Sequence, residues 1–138
     1  WLFHQWFISR RYWNYYSIMY FNYIHNLPLM IKVVGSLLII FVVTFLHVVS
    51  IPSIDLDLRS IISIDKAIHI IMFYIVGLWF LLMVKKNHYI LMMIFLIIYA
   101  FTMEYLQIRV SYRSFEWFDW LSDIFGLLLS FFHLSKKL

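Results

Sequence analysis

Asp65, Lys66 and His69 form one short constellation, with Asp65 and His69 a helical turn apart on a common face. Glu104 and Gln107 form a second at similar spacing. Asp119 and Asp123 form a third at i,i+4, with Gly126 and Ser130 continuing that face. The segment between the second and third groups carries Arg109 and Arg113. A carboxylic acid beside an imidazole can work as a general acid or base. Asp119, Asp123, Glu104 and His69 together could hold a divalent cation, since hard cations take carboxylate oxygens. The arginines offer a planar fork suited to phosphate. The candidate polar cluster is therefore Asp65, Lys66, His69, Glu104, Gln107, Arg113, Asp119 and Asp123. Spacing alone assigns no metal site, no cofactor and no catalytic residue.

Plainer readings stand beside these. Asp65 suits a helix N-cap, and Lys66 can snorkel to headgroups. Asp119 suits the cap of a following helix, and a lone histidine such as His69 is often a hydrogen-bonded interior residue. Glu104 and Asp123 resist such readings because both sit inside apolar stretches. An ionisable group within a membrane span costs about 2.5–3.5 kcal/mol on insertion scales and usually faces the bundle interior. His47 is placed to face the same cluster, whereas His4, His25, His88 and His133 read as interfacial. Gly126 and Ser130 read as packing residues that let helices approach closely.

The elements that must position these groups follow from composition. Of 138 residues, 64% are apolar and 13% charged, and the mean hydropathy is +0.87. So small a fold cannot hide that much apolar surface from water, where exposure costs about 25 cal/mol per Å². A bilayer removes the cost. The chain has no cysteine, which excludes disulfides and thiolate chemistry. Its basic residues lie in ones and twos at the ends of apolar runs, which is no pattern for nucleic acid.

Crossing about 30 Å of hydrocarbon takes about 20 helical residues. Apolar runs of that order occupy residues 32–50, 64–84, 89–108 and 118–134. Residues 51–63, with Pro52, Asp55, Asp57 and Arg59, read as a loop. Residues 85–88 make a very short turn, and 109–116 a polar loop. Residues 1–29 are rich in Trp and Tyr around Arg10 and Arg11, the composition of the headgroup level. They lack a clean apolar core before a small-residue site, so no cleavable signal peptide is expected there. The expected fold is all-α: a polytopic membrane bundle of four transmembrane helices (residues 30–138) preceded by an aromatic interfacial helix (residues 1–29), with a further span before Pro28 as the competing reading that would change the topology.

Orientation follows from the basic residues. With both termini on one side, that side holds Arg10, Arg11, Lys32, Lys85, Lys86, Lys136 and Lys137, against Arg59, Lys66, Arg109 and Arg113 on the other. The richer side is the cytoplasmic one, so the expected location is the cell membrane with cytoplasmic termini. All the carboxylate side chains (Asp55, Asp57, Asp65, Glu104, Glu116, Asp119 and Asp123) then fall on the extracytoplasmic side.

These residues also resemble a known family. Asp65-Lys66-x-x-His69 before an apolar helix resembles the first signature of the VanZ-like membrane proteins, named for a teicoplanin-resistance protein. Glu104-x-x-Gln107, then Arg113-Ser114-Phe115-Glu116, Asp119, Asp123 and Gly126 follow the spacing of its second signature, E-x-x-Q…R-S-F-D/E-x-x-D-x-x-x-N-x-x-G. The resemblance covers roughly residues 37–130. Asp123 stands where the family usually has Asn, Phe73 where Tyr is usual, and Ser130 in place of a second Gly. The resemblance implies four or five membrane helices. The family's named member lowers susceptibility to a lipoglycopeptide antibiotic.

Three functions are open at this point. An extracytoplasmic polar pocket could bind or act on an envelope lipid, through an anionic headgroup, or on a cell-wall precursor, with glycopeptide-antibiotic tolerance as one outcome. An intramembrane enzyme could use Glu104, His69 and Asp123 as acid-base or metal-binding groups. The charges could also serve only to lock the helices, although buried ion pairs often break even energetically. Known enzyme patterns are sparse. There is one D-x-x-x-D, no G-x-S-x-G, and no lipid-phosphatase signature.

Overall fold

The computed structural model describes residues 23–48, 58–109 and 115–136, and every regular element among them is helical. Four long helices follow one another: α1 (Leu29–Val48), α2 (Leu58–Met83), α3 (Tyr89–Gln107) and α4 (Trp117–Ser135). A single 3-10 turn, Lys86–His88, joins α2 to α3. Residues 23–25 are also helical, and Pro28 separates them from α1. The expectation for residues 1–29 falls largely outside the described residues.

One boundary differs from expectation. Residues 58–63 were expected in a loop and instead form the first turns of α2. That stretch, Leu-Arg-Ser-Ile-Ile-Ser, contains no Gly or Pro to stop a helix. With 26 residues, α2 is about 39 Å long at 1.5 Å per residue, which exceeds the hydrocarbon thickness. Its polar first turns need not enter the bilayer core.

Consecutive helices run antiparallel, so α2 and α4 run parallel, and this pair packs most extensively. Their backbones meet at Gly126, where an added Cβ would strike the Ile70 carbonyl oxygen and lie 3.0 Å from the Tyr74 nitrogen. Further along, Gly77 leaves room for Ser130, whose hydroxyl donates to the Leu127 carbonyl at 2.7 Å. Small residues thus bring the two helices together, as is usual in membrane bundles. Phe73, Val76, Leu96, Ala100 and Leu127 fill the space between the four helices.

Apolar side chains cover much of the outside of the bundle, and polar ones gather within it. Leu37, Phe41, Ile71, Ile75, Ile94, Phe95, Ile98 and Phe125 all face outward. His47, His69, Glu104, Gln107, Asp119, Asp123 and Ser130 are buried. Among the described residues, three helical stretches, Leu29–His47, Ile64–Met83 and Lys86–Gln107, are long and apolar enough to cross a membrane. The fourth helix has 19 residues and is made more polar by Asp119, Asp123 and His133.

Candidate functional site

The up-and-down path delivers the end of α1, the N-terminal half of α2, the end of α3 and the N-terminal half of α4 to one end of the bundle. Every described polar candidate lies there. His69 Nδ1 is 2.8 Å from Asp123 Oδ1, joining α2 to α4. Glu104 Oε1 lies 3.9 Å from that same His69 nitrogen and 3.9 Å from His47 Nε2, which brings in α3 and α1. The two imidazoles meet edge to face, with ring centroids 5.2 Å apart. Glu104 and Asp123 are 0% exposed, His47 2% and His69 6%.

Each of these groups is oriented by a neighbour. His47 Nδ1 sits 2.8 Å from the Val43 carbonyl oxygen, which only a protonated nitrogen can satisfy, so Nε2 faces the cluster as the acceptor nitrogen. Gln107 Nε2 donates to Glu104 Oε1 at 3.3 Å. On the outer side, His69 Nε2 lies 4.0 Å from Asp119 Oδ2. Asp119 in turn bonds the Lys66 ammonium, which also reaches Glu116 Oε2 at 2.9 Å and Asp65 Oδ2 at 3.6 Å. A continuous polar ladder therefore runs from the Lys66–Glu116 rim through Asp119 and His69 to Asp123, Glu104 and His47. Among the described residues, Asp123 Oδ2 is buried with no hydrogen-bond partner. Orphaned acceptors of this kind are uncommon because leaving one unsatisfied costs about 1–3 kcal/mol.

The structure sorts the plainer readings. Asp65 lies seven residues beyond the Leu58 start of α2 and is not a cap; its carboxylate faces Lys66. Lys66 does not simply snorkel to the headgroups, because three carboxylates hold it. Asp119 lies in the first turn of α4, where a negative charge is favoured by the helix dipole, and binds Lys66 rather than capping the helix. His69 is buried and paired, now with a specific carboxylate. Arg109 is exposed just past α3, while Arg113 lies outside the described residues. His47 completes the cluster although it has no ionisable neighbour at helical spacing to single it out. His133, expected to be interfacial, places Nδ1 2.6 Å from the Tyr74 hydroxyl toward the opposite end of the bundle.

Beside the ladder, on the outer flank between α2 and α4, lies an open groove of about 700 Å³. Ile70, Leu121 and Phe125 give it an apolar floor, and Lys66 and Glu116 close it at the polar end. A groove with one greasy and one charged end suits an amphipathic molecule.

Comparison with protein-family models, curated proteins and solved structures finds no match to this chain.

Proposed function

We propose that this chain is a VanZ-like integral membrane protein that binds or acts on an envelope lipid or a lipid-borne cell-wall precursor at the extracytoplasmic end of its helices. In this reading α4 is the fourth transmembrane helix, and residues 1–29 form an aromatic interfacial helix. Both termini are cytoplasmic by the distribution of Lys and Arg. The observation that carries the reading is the groove between α2 and α4. Its apolar floor opens toward lipid, and its head is the Lys66–Glu116 rim above Asp119. The rim sets Asp65, Glu116 and Asp119 against one ammonium. It therefore favours a head rich in hydroxyl or ammonium donors, and an anionic phosphate needs Arg109 and Arg113 as well.

Leu121→Trp fills the groove without touching the ladder. Mass spectrometry of chain purified from native membranes should find a polar envelope lipid retained by the wild type and lost from this variant. Equal lipid content in both overturns the reading. Reduced susceptibility to glycopeptide antibiotics on expression is the phenotype to examine.

A second reading, an intramembrane enzyme, is favoured by the His69–Asp123 contact beside Glu104. An acid-base pair of this kind can move a proton to or from a bound headgroup. Turnover of candidate lipids by wild type that disappears in Glu104→Gln supports it; no product from either removes it.

A further inference from the structure

The four groups at the inner end of the ladder belong to four different helices and present their donor atoms to a common point. One ligand atom each from His47, His69, Glu104 and Asp123 lies within 4.8 Å of the others, and all four residues are buried. With both imidazoles neutral and both acids ionised, this quartet carries two negative charges inside the bundle. Lys66 does not offset them, because Asp65, Glu116 and Asp119 already engage it. A divalent cation would neutralise the quartet, and Asp123 Oδ2 is a buried acceptor with no hydrogen-bond partner among the described residues.

We infer that His47 Nε2, His69 Nδ1 and the carboxylates of Glu104 and Asp123 form a binding site for one divalent transition-metal ion. The donor set decides the class of ion. Two imidazoles favour zinc, iron or nickel over magnesium and calcium, and two nitrogens with two carboxylate oxygens suit tetrahedral zinc. The surroundings supply what metal-bound histidines need. The Val43 carbonyl accepts from His47 Nδ1 at 2.8 Å, which leaves Nε2 as the metal-facing nitrogen. Asp119 stands 4.0 Å from His69 Nε2 on the side away from Glu104 and Asp123, the position a carboxylate takes in carboxylate–histidine–zinc arrangements, and a small closure would bring it to hydrogen-bond distance. Lys66 holds Asp119 in place, and Gln107 holds Glu104. The site goes beyond the lipid-binding reading and stands whether or not the groove takes a lipid.

The test uses full-length chain in lipid nanodiscs, stripped with chelator, exposed to Zn²⁺ alone and freed of excess metal. About one zinc per chain is expected for the wild type, as for a four-ligand site. The near-isosteric Glu104→Gln and Asp123→Asn should lose it. His133→Ala, at the other end of α4, should retain it. Asp119→Asn should weaken binding by about 10–100-fold, the usual effect of removing an orienting partner. A wild type that retains no zinc, or Glu104→Gln and Asp123→Asn variants that retain as much as the wild type, overturns the site. A second measurement depends on no variant folding. In ¹⁵N-histidine spectra of the wild type, Zn²⁺ should move the His47 and His69 imidazole signals and leave that of His133 in place; an unchanged His47 signal overturns the site. Leu121→Trp separates the two proposals, since it should empty the groove of lipid and leave zinc bound.

Discussion

His69 Nδ1 and Asp123 Oδ1 lie 2.8 Å apart with both residues buried, tying the N-terminal half of α2 to that of α4 across 54 positions of sequence. Since α2 and α4 run parallel, this one contact sets their register at the polar end. Gly126 sets it nearly a turn deeper, against Ile70 and Tyr74. Everything else at this end is arranged around that seam.

The first prediction concerns the seam itself. Asp123→Leu leaves His69 buried without its carboxylate, and losing a buried hydrogen bond of this kind costs about 1–3 kcal/mol. Asp123→Asn keeps an acceptor of the same shape and should cost less. Thermal unfolding in detergent, followed by circular dichroism, should rank wild type above Asn and Asn above Leu. A Leu variant as stable as the wild type contradicts the role given to this contact.

Packing at Gly126 gives the second. Its missing Cβ would meet backbone atoms of α2, which cannot rotate away as a side-chain tip can. Gly126→Ala should therefore destabilise by about 1–3 kcal/mol, the usual range for overpacking. The helices of an unstrained neighbour provide the contrast: Ser122, half-buried on α4, should accept Ala with little change. Equal unfolding temperatures for Gly126→Ala and Ser122→Ala count against the close approach.

The third tests the outer part of the ladder. Lys66 and Asp119 should couple by about 0.5–3 kcal/mol in a double-mutant cycle of Lys66→Met and Asp119→Asn, because their side chains contact directly. A lysine that only snorkels to the headgroups would show no coupling.

Orientation supplies the fourth. The chain has no cysteine, so any introduced thiol reports one position. Asn87→Cys lies in the α2–α3 turn and Ser114→Cys in the α3–α4 connection. A membrane-impermeant maleimide applied to intact cells should label position 114 and spare position 87. The reverse pattern inverts the proposed topology.

Much of the polar end was legible in advance because helical spacing writes itself into sequence. Asp65 and His69, Glu104 and Gln107, and Asp119 and Asp123 each share a face at i,i+3 or i,i+4, and they sit at the start, end and start of successive apolar runs, which an up-and-down path brings to one side. Contacts between helices leave no such mark. Nothing local pairs Lys66 with Asp119 or brings His47 to Glu104, because those meetings depend on the register of helices 53 and 57 residues apart in sequence. His47 was also hard to weigh because this single imidazole at the end of an apolar run has no ionisable companion at helical spacing. The early start of α2 was obscured by Pro52 and the charges Asp55, Asp57 and Arg59, which read as loop when a helix is expected to end with the hydrocarbon. The groove could not be foreseen, since its lining is drawn from α2 and α4, two helices distant in sequence.

The most direct test of the lipid-facing site is photo-crosslinking in native membranes with p-benzoylphenylalanine placed singly at Phe125, in the groove, and at Phe41, on the outward face of α1. Both positions touch lipid, but only Phe125 lies beside the Lys66–Glu116 rim. The expected result is a distinct polar-headed envelope lipid captured at Phe125, reduced when Lys66→Met is added, with only the bulk lipid mixture captured at Phe41. The same bulk mixture at both positions, unaffected by Lys66→Met, would contradict a lipid-binding site at this end of the bundle.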